Sequence, residues 1–207
     1  LANEWTTMES VIVKATDILL SQPPEKLLDK DDWIVNGIVK GVDSFSKICK
    51  IAALHRHKNY TDAKKEEIGT ELSKILFHAG CLVHLLDVDP SIFDVESLTA
   101  FSEEFPMDYQ QDVILCSLDA IRNFVFLAED KFTDLEEEVD FLADVPEEAG
   151  TDEVVSSTSL LPDDEEDDTE PAETALAEIF SSVIILCELV ELDLETIMYN
   201  AGVSVKL

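Results

Sequence analysis

Apolar residues recur at three- and four-residue steps along most of this chain, the period of an amphipathic helix rather than the alternation of a strand. The pattern is sharpest in residues 61–93, where Ile68, Leu72, Ile75, Leu76, Leu82, Val83 and Leu86 fall on one side of a predicted helix. Asp62 is placed to cap that helix, and Glu66 and Glu67 follow in its early turns, where the helix dipole favours negative charge. Glu67, Glu71 and Lys74 mark the opposite edge, so charge is expected beside the buried stripe. A second stretch, 165–197, repeats the pattern 104 positions along the chain. Thr70, Leu72, Ile75, Leu82, Leu85 and Asp89 then meet Thr174, Leu176, Ile179, Leu186, Leu189 and Asp193. The shared Thr at the start and Asp at the end point to an internal duplication.

The remaining elements are also helical. Residues 6–21 carry Met8, Val11, Ile12, Ala15, Ile18 and Leu19 on one face, and the prolines at 23–24 end that helix. Asp31 or Asp32 is expected to cap a longer helix from Trp33 to about His57, with Ile34, Ile38, Val42, Phe45, Ile48, Cys49 and Ala52 as its stripe. Gly37 and Gly41 lie one turn apart within it. Each costs about 1 kcal/mol in helix propensity relative to Ala, so close approach of a neighbouring helix is the expected return. After Asp89-Pro90 comes a short helix, 95–104, stopped by Pro106. Asp108 and Gln111 form a capping-box pattern for a helix over 109–131, and Thr133 with Glu136 forms another for a shorter acidic helix to about Val145. Residues 146–172 contain no basic residue and centre on the run DDEEDD, which predicts an irregular, solvent-exposed connection. Helices over 173–192 and, capped by Asp193, to Asn200 complete the chain, with Gly202 as the stop. Ile38, Asp43 and Ala52 fall on Ile114, Asp119 and Ala128 at an offset of 76, so one acidic insertion accounts for the longer offset that follows. The expected architecture is an all-α bundle of seven or eight helices. Its two pseudo-repeated four-helix halves span residues 1–105 and 106–207, the second interrupted by the acidic insertion at about 146–172.

Charge narrows the function. The 207 residues include 46 acidic and 14 basic side chains, a formal net charge of −32. A phosphate backbone is repelled by such a field, which excludes conventional nucleic-acid binding. The acid can keep the chain soluble, supply oxygen ligands to hard cations, or imitate a polyanion on the basic surface of a partner. Cys49, Cys81, Cys116 and Cys187 are far apart and lie on or beside apolar stripes, the pattern of buried free thiols in a reducing compartment. His55 and His57 suit opposite sides of a helix end, and His78 and His84 read as helix-surface residues. The opening LANEWTTMES lacks a basic region and a long apolar run, so no signal peptide is expected. The apolar run Ile179 to Cys187 is far shorter than a membrane span, and the expected setting is cytoplasmic. Association of two chains is left open.

The segments TELSKILFHAGCLVHLLDVDPSIF and TALAEIFSSVIILCELVELDLETIMYN resemble the all-α NTP pyrophosphatases, the MazG-like and dimeric dUTPase group, down to the LDVDPSIF and LDLETI turns. That family's metal pattern is ExxE, a spacer, then ExxD. Glu71 stands at the first acid of ExxD, but Lys74 replaces the aspartate. In the second half Ala175 replaces the first acid and Glu178 keeps the second. The ExxE element is reduced to Asp43 with Ser46, and to Asp119 with Arg122. The resemblance implies a Mg²⁺ site drawn from Asp43, Glu67, Glu71, Asp119 and Glu178. Glu67 and Glu71 would share a cation with Asp43, or Glu178 would complete a mixed site between the halves. Lys47 and Lys74 are the candidate substrate contacts, and the lysines at 40, 47 and 50 are spaced to meet a triphosphate. The implied chemistry is attack of metal-bound water between the α and β phosphates of a (d)NTP, on a site eroded toward binding or weak hydrolysis. The alternative is an acidic interaction protein whose stretch from Phe132 to Val205 caps a basic partner.

Overall fold

The helix over Asp62–Leu85, α3 below, is wrapped on nearly every side, and the other elements are placed by what they cover on it. In the computed structural model the described residues are 7–22, 29–55, 60–108, 110–139 and 169–204. They form seven α-helices and no strand: α1 Met8–Leu20, α2 Lys30–Leu54, α3 Asp62–Leu85, α4 Val95–Glu103, α5 Val113–Val139, α6 Thr169–Val190 and α7 Leu194–Ser204. A 3₁₀ turn, Pro90–Ile92, precedes α4. The all-α expectation holds. None of the described helices is long and apolar enough to cross a membrane.

The predicted stripes become the core. Ile68, Leu72, Ile75, Leu76, Leu82 and Val83 are buried, as are Leu176, Ile179, Val183 and Leu186 of α6. Helices α2 and α5 run antiparallel, with Gly41 opposite Phe124 and Cys49 beside Ser117. The Phe45 and Phe124 rings meet there at 6.1 Å. Helix α3 lies along α2 and α6, α5 along α6, and α1 on α3. The two short helices dock far from their own neighbours in sequence. Helix α4 lies on α6, where Ser181 Oγ donates to Leu98 O at 3.0 Å and Phe93 meets Phe180 at 5.0 Å. Helix α7 lies on α3, where Ser73 Oγ donates to Ile197 O at 3.1 Å. Gly69 permits this approach, because an added Cβ would sit 3.0 Å from Ile197 Cδ1.

Several boundaries differ from expectation, each for a local reason. Asp29, not Asp31 or Asp32, caps α2, accepting from Lys30 N at 2.6 Å. That helix ends at Leu54, short of His57. Thr61 rather than Asp62 precedes α3. Asp112, not Asp108, caps α5, accepting from Ile114 N at 2.8 Å and Leu115 N at 3.2 Å. The pattern at Thr133 and Glu136 starts no new helix, because α5 has no Gly or Pro to break it before Val139. Helix α6 starts at Thr169, inside the stretch expected to be irregular, with Pro171 in its first turn, where the missing N–H costs nothing. The rest of the acidic connection lies outside the described residues.

Candidate functional site

The sequence candidates sort into two clusters and one outlier. On α2 and α3, Asp43, Lys47, Glu71 and Lys74 form a ladder of alternating charge. Lys47 Nζ lies 2.6 Å from Asp43 and 3.8 Å from Glu71, and Lys74 Nζ lies 2.7 Å from Glu71 Oε1. Glu71 was expected on the charged edge of its helix, yet it is buried, only 7 % exposed. Its Oε2 has no hydrogen-bond partner among the described residues. The hydrogen bond from Lys47 lowers the pKa of Asp43, and the same bond raises that of Lys47, with Glu71 adding to the effect.

The second cluster joins α5 to α6. Asp119 is pushed up by burial, with Arg122 opposing. Glu178 is likewise pushed up by burial, Asn123 beside it opposing and the charge of Asp119 adding to the rise. Asn123 Nδ2 is buried and has no well-formed hydrogen bond among the described residues. Glu67 joins neither group, since its carboxylate pairs with Lys64 at 2.5 Å.

These residues do not fit a Mg²⁺ centre. Among the described residues no three His, Cys, Asp or Glu side chains converge as a metal site. The reason is visible around Glu71, where two ammonium groups stand at the positions a cation would compete for. A divalent ion there would have to displace both lysines against their charge. Neither the shared Asp43, Glu67 and Glu71 arrangement nor the mixed site through Glu178 is formed.

A cavity of about 540 Å³ opens beside the first cluster, between α2, α3 and α7. Lys40, Lys47, Lys65 and Lys74 all line it, four of the chain's 14 basic residues in a molecule of net charge −32, and the acids Asp43 and Glu66 line it beside them. Lys65 is neutralised at 2.7 Å by Glu191. Lys40 is exposed on α2 and has no carboxylate within 4.0 Å among the described residues. Buried Ser44 and Ser73, with Asn36, Thr196 and Asn200, supply uncharged polar groups, while Leu192 and Ile197 give an apolar wall.

His78 also lines the cavity and is not the surface residue expected from sequence, being 8 % exposed. Burial, then the charges of Lys40 and Lys74, push its pKa down to about 4, so the imidazole is neutral at pH 7. Sequence reasoning singled out Lys47 and Lys74 but missed Lys65, His78 and the α7 residues. Those come together only when α7 docks on α3, and no local pattern announces that contact.

Such a cavity can hold an anion by charge-assisted hydrogen bonds and can pack a planar or apolar group against Leu192 and Ile197. It offers no nucleophile paired with a base. Compared with protein-family models, with curated proteins and with solved structures, this chain matches none of them.

Proposed function

We propose that this chain is an internally duplicated protein of the MazG-like, dimeric dUTPase-like type that binds a nucleoside triphosphate in the α2–α3–α7 cavity and turns it over slowly or not at all. The observation that carries the reading is the convergence of Lys40, Lys47, Lys65 and Lys74 on one cavity of a strongly acidic molecule. Phosphate oxygens are the common ligand of such a lysine group, and the neutral His78 with the apolar wall leaves room for a base.

Duplication is supported by matched details at the offset of 104. Asp87 and Glu191 both have φ 58°. Val88 N donates to Val83 O at 3.0 Å, and Leu192 N donates to Cys187 O at 2.8 Å. Asp89 and Asp193 each cap the turn that follows. On this reading α4 and α7 are equivalent, and each covers the long helix of the opposite half. Only one half keeps an anion site. The positions matching Lys40, Lys47 and Lys74 carry Cys116, Asn123 and Glu178.

The test is thermal unfolding with a panel of (d)NTPs, followed by measurement of pyrophosphate release. Ligand at a hundred times its Kd should add about 2.7 kcal/mol, a Tm rise of several degrees, which Lys40→Ala with Lys74→Ala removes. No shift with any nucleotide would sink the reading. Rapid pyrophosphate release abolished by Glu71→Gln would restore an enzyme. A second reading, capture of a basic partner, is favoured by the absence of any basic residue from 146–172. Salt-sensitive capture lost on deletion of that segment would support it.

A further inference from the structure

The ladder of charge beside the cavity constrains the ionic form of whatever polyphosphate enters it. Resting on the nucleotide-binding reading, we propose that the α2–α3–α7 cavity takes the polyphosphate as its metal-free anion, with Lys40, Lys47 and Lys74 on the oxygens that a divalent cation would otherwise occupy.

Three observations carry this. First, the carboxylates of the ladder are engaged, leaving exposed Glu66 as the one acid of the cavity lining outside it. Asp43 holds Lys47 at 2.6 Å and Glu71 holds Lys74 at 2.7 Å. A cation riding on the phosphates would meet ammonium groups on entry, and like charges at that range repel. Secondly, the lysines keep donors in reserve. An ammonium group has three N–H donors, and these contacts use one of Lys74 and one or two of Lys47. Lys40 has no carboxylate within 4.0 Å among the described residues and interacts with Asp43 only at longer range, so its ammonium donors are not taken up by an ion pair.

Thirdly, Glu71 is placed to aim rather than to ligate. It lies buried beneath the lysines, is absent from the cavity lining, and its Oε2 sits 3.8 Å from Lys47. A fixed counter-ion of this kind holds two flexible side chains in place before the ligand arrives, which lowers the entropy cost of binding. Mg²⁺ would act on the ligand in the opposite sense, removing two negative charges and occupying the oxygens the lysines need.

Calorimetric titration of the full chain with inorganic tripolyphosphate and with dATP tests this, in EDTA and again in excess Mg²⁺. The expected result is binding in EDTA that excess Mg²⁺ weakens by about tenfold or more. Lys40→Ala, at an exposed position, should weaken metal-free binding by about tenfold with helix content unchanged. Glu71→Gln should weaken metal-free binding by about two- to fivefold without abolishing it, because Lys74 loses the carboxylate that holds it while Asp43 still holds Lys47. Tighter binding with Mg²⁺, abolished by Glu71→Gln, would overturn the proposal while leaving nucleotide binding standing. Silence from both ligands under both conditions would overturn the binding reading itself.

Discussion

Asp87 and Glu191, 104 residues apart, occupy the same left-handed backbone position, φ 58°, two residues past the end of α3 and one past the end of α6. In both turns the next N–H reaches back five residues to close the helix end. A side chain in this conformation crowds the following carbonyl, at about 1–2 kcal/mol, whereas glycine adopts it freely. Asp87→Gly should therefore stabilise the fold by about 0.5–1 kcal/mol once glycine's larger unfolded-state entropy is deducted. Glu191→Gly should act with the same sign, each variant giving up an exposed lysine contact, Lys30 for Asp87 and Lys65 for Glu191. Urea unfolding followed by helical circular dichroism reads both, and a loss of stability in the pair would contradict the assignment of these turns.

Much of this arrangement is legible in the sequence. The stripe from Ile68 to Val83 could be read because burial on a helix repeats with its period. The Asp193 cap could be read because it follows a long apolar run, whereas Asp89 reads from sequence only as the break before Pro90 and turns out to cap the 3₁₀ turn. The start of α2 could not, since Asp29, Asp31 and Asp32 are all able to cap and only the path of the preceding chain chooses. The burial of Glu71 and His78 was illegible for a different reason. Both depend on neighbours brought against α3 from elsewhere, α2 for Glu71 and the combined packing of α2 and α7 for the cavity that His78 lines. Charge at position 71 predicts solvent, and burial is tolerable because Lys74 on the same helix and, farther off, Lys47 on the adjacent one both face the carboxylate.

Gly41 leaves the room on α2 that the Phe124 ring of α5 fills. A Cβ there would lie 2.3 Å from Phe124 Cζ and within 2.7 Å of both Cε atoms. Phe124 is fully buried against Phe45 and has nowhere to withdraw. Gly41→Ala gains about 1 kcal/mol in helix propensity but overpacks the core, and a net loss of about 1–2 kcal/mol is expected. Gly37→Ala meets only Leu82, no nearer than 3.2 Å, and should be close to neutral. Chemical denaturation of the two variants side by side makes the comparison, and Gly41→Ala with Phe124→Leu should recover most of the loss.

Removal of Lys74 exposes the cost of a buried carboxylate. Glu71 keeps its Oε1 satisfied only through Lys74, and Lys47 stands farther off at 3.8 Å. A fully buried pair broken from one side costs about 3–5 kcal/mol, but the Lys74 side chain is 38 % exposed and water screens it. Lys74→Met should then cost about 1–2 kcal/mol, and Glu71→Gln added to it should restore most of that. A double-mutant cycle by urea unfolding measures the coupling. Additive effects would mean that the pair contributes nothing at this site.

His78 gives the fold a pH dependence of defined sign. In the unfolded chain its imidazole titrates near 6.5, whereas in the folded state burial, with Lys40 and Lys74, holds it at about 4. Above pH 6.5 both states are neutral and the residue adds no slope. Between about 6.5 and about 4 the unfolded chain takes up a proton that the folded chain refuses, so stability falls as pH falls. The full effect is about 3 kcal/mol and levels off below the folded value. Asp119 and Glu178, whose pKa values burial raises, act in the opposite direction, because the folded state retains their protons longer as pH rises. Asp43, lowered by Lys47, adds a loss only as pH drops through the carboxylate range. The contribution of His78 is isolated by comparison with His78→Gln, which leaves those carboxylates in place. The difference in unfolding free energy between the two proteins should be constant above pH 6.5 and should shrink steadily in favour of the variant toward pH 4. A difference that stays flat across that window would mean the imidazole accepts its proton in the folded state, and the cavity it lines would then be far wetter than its packing implies.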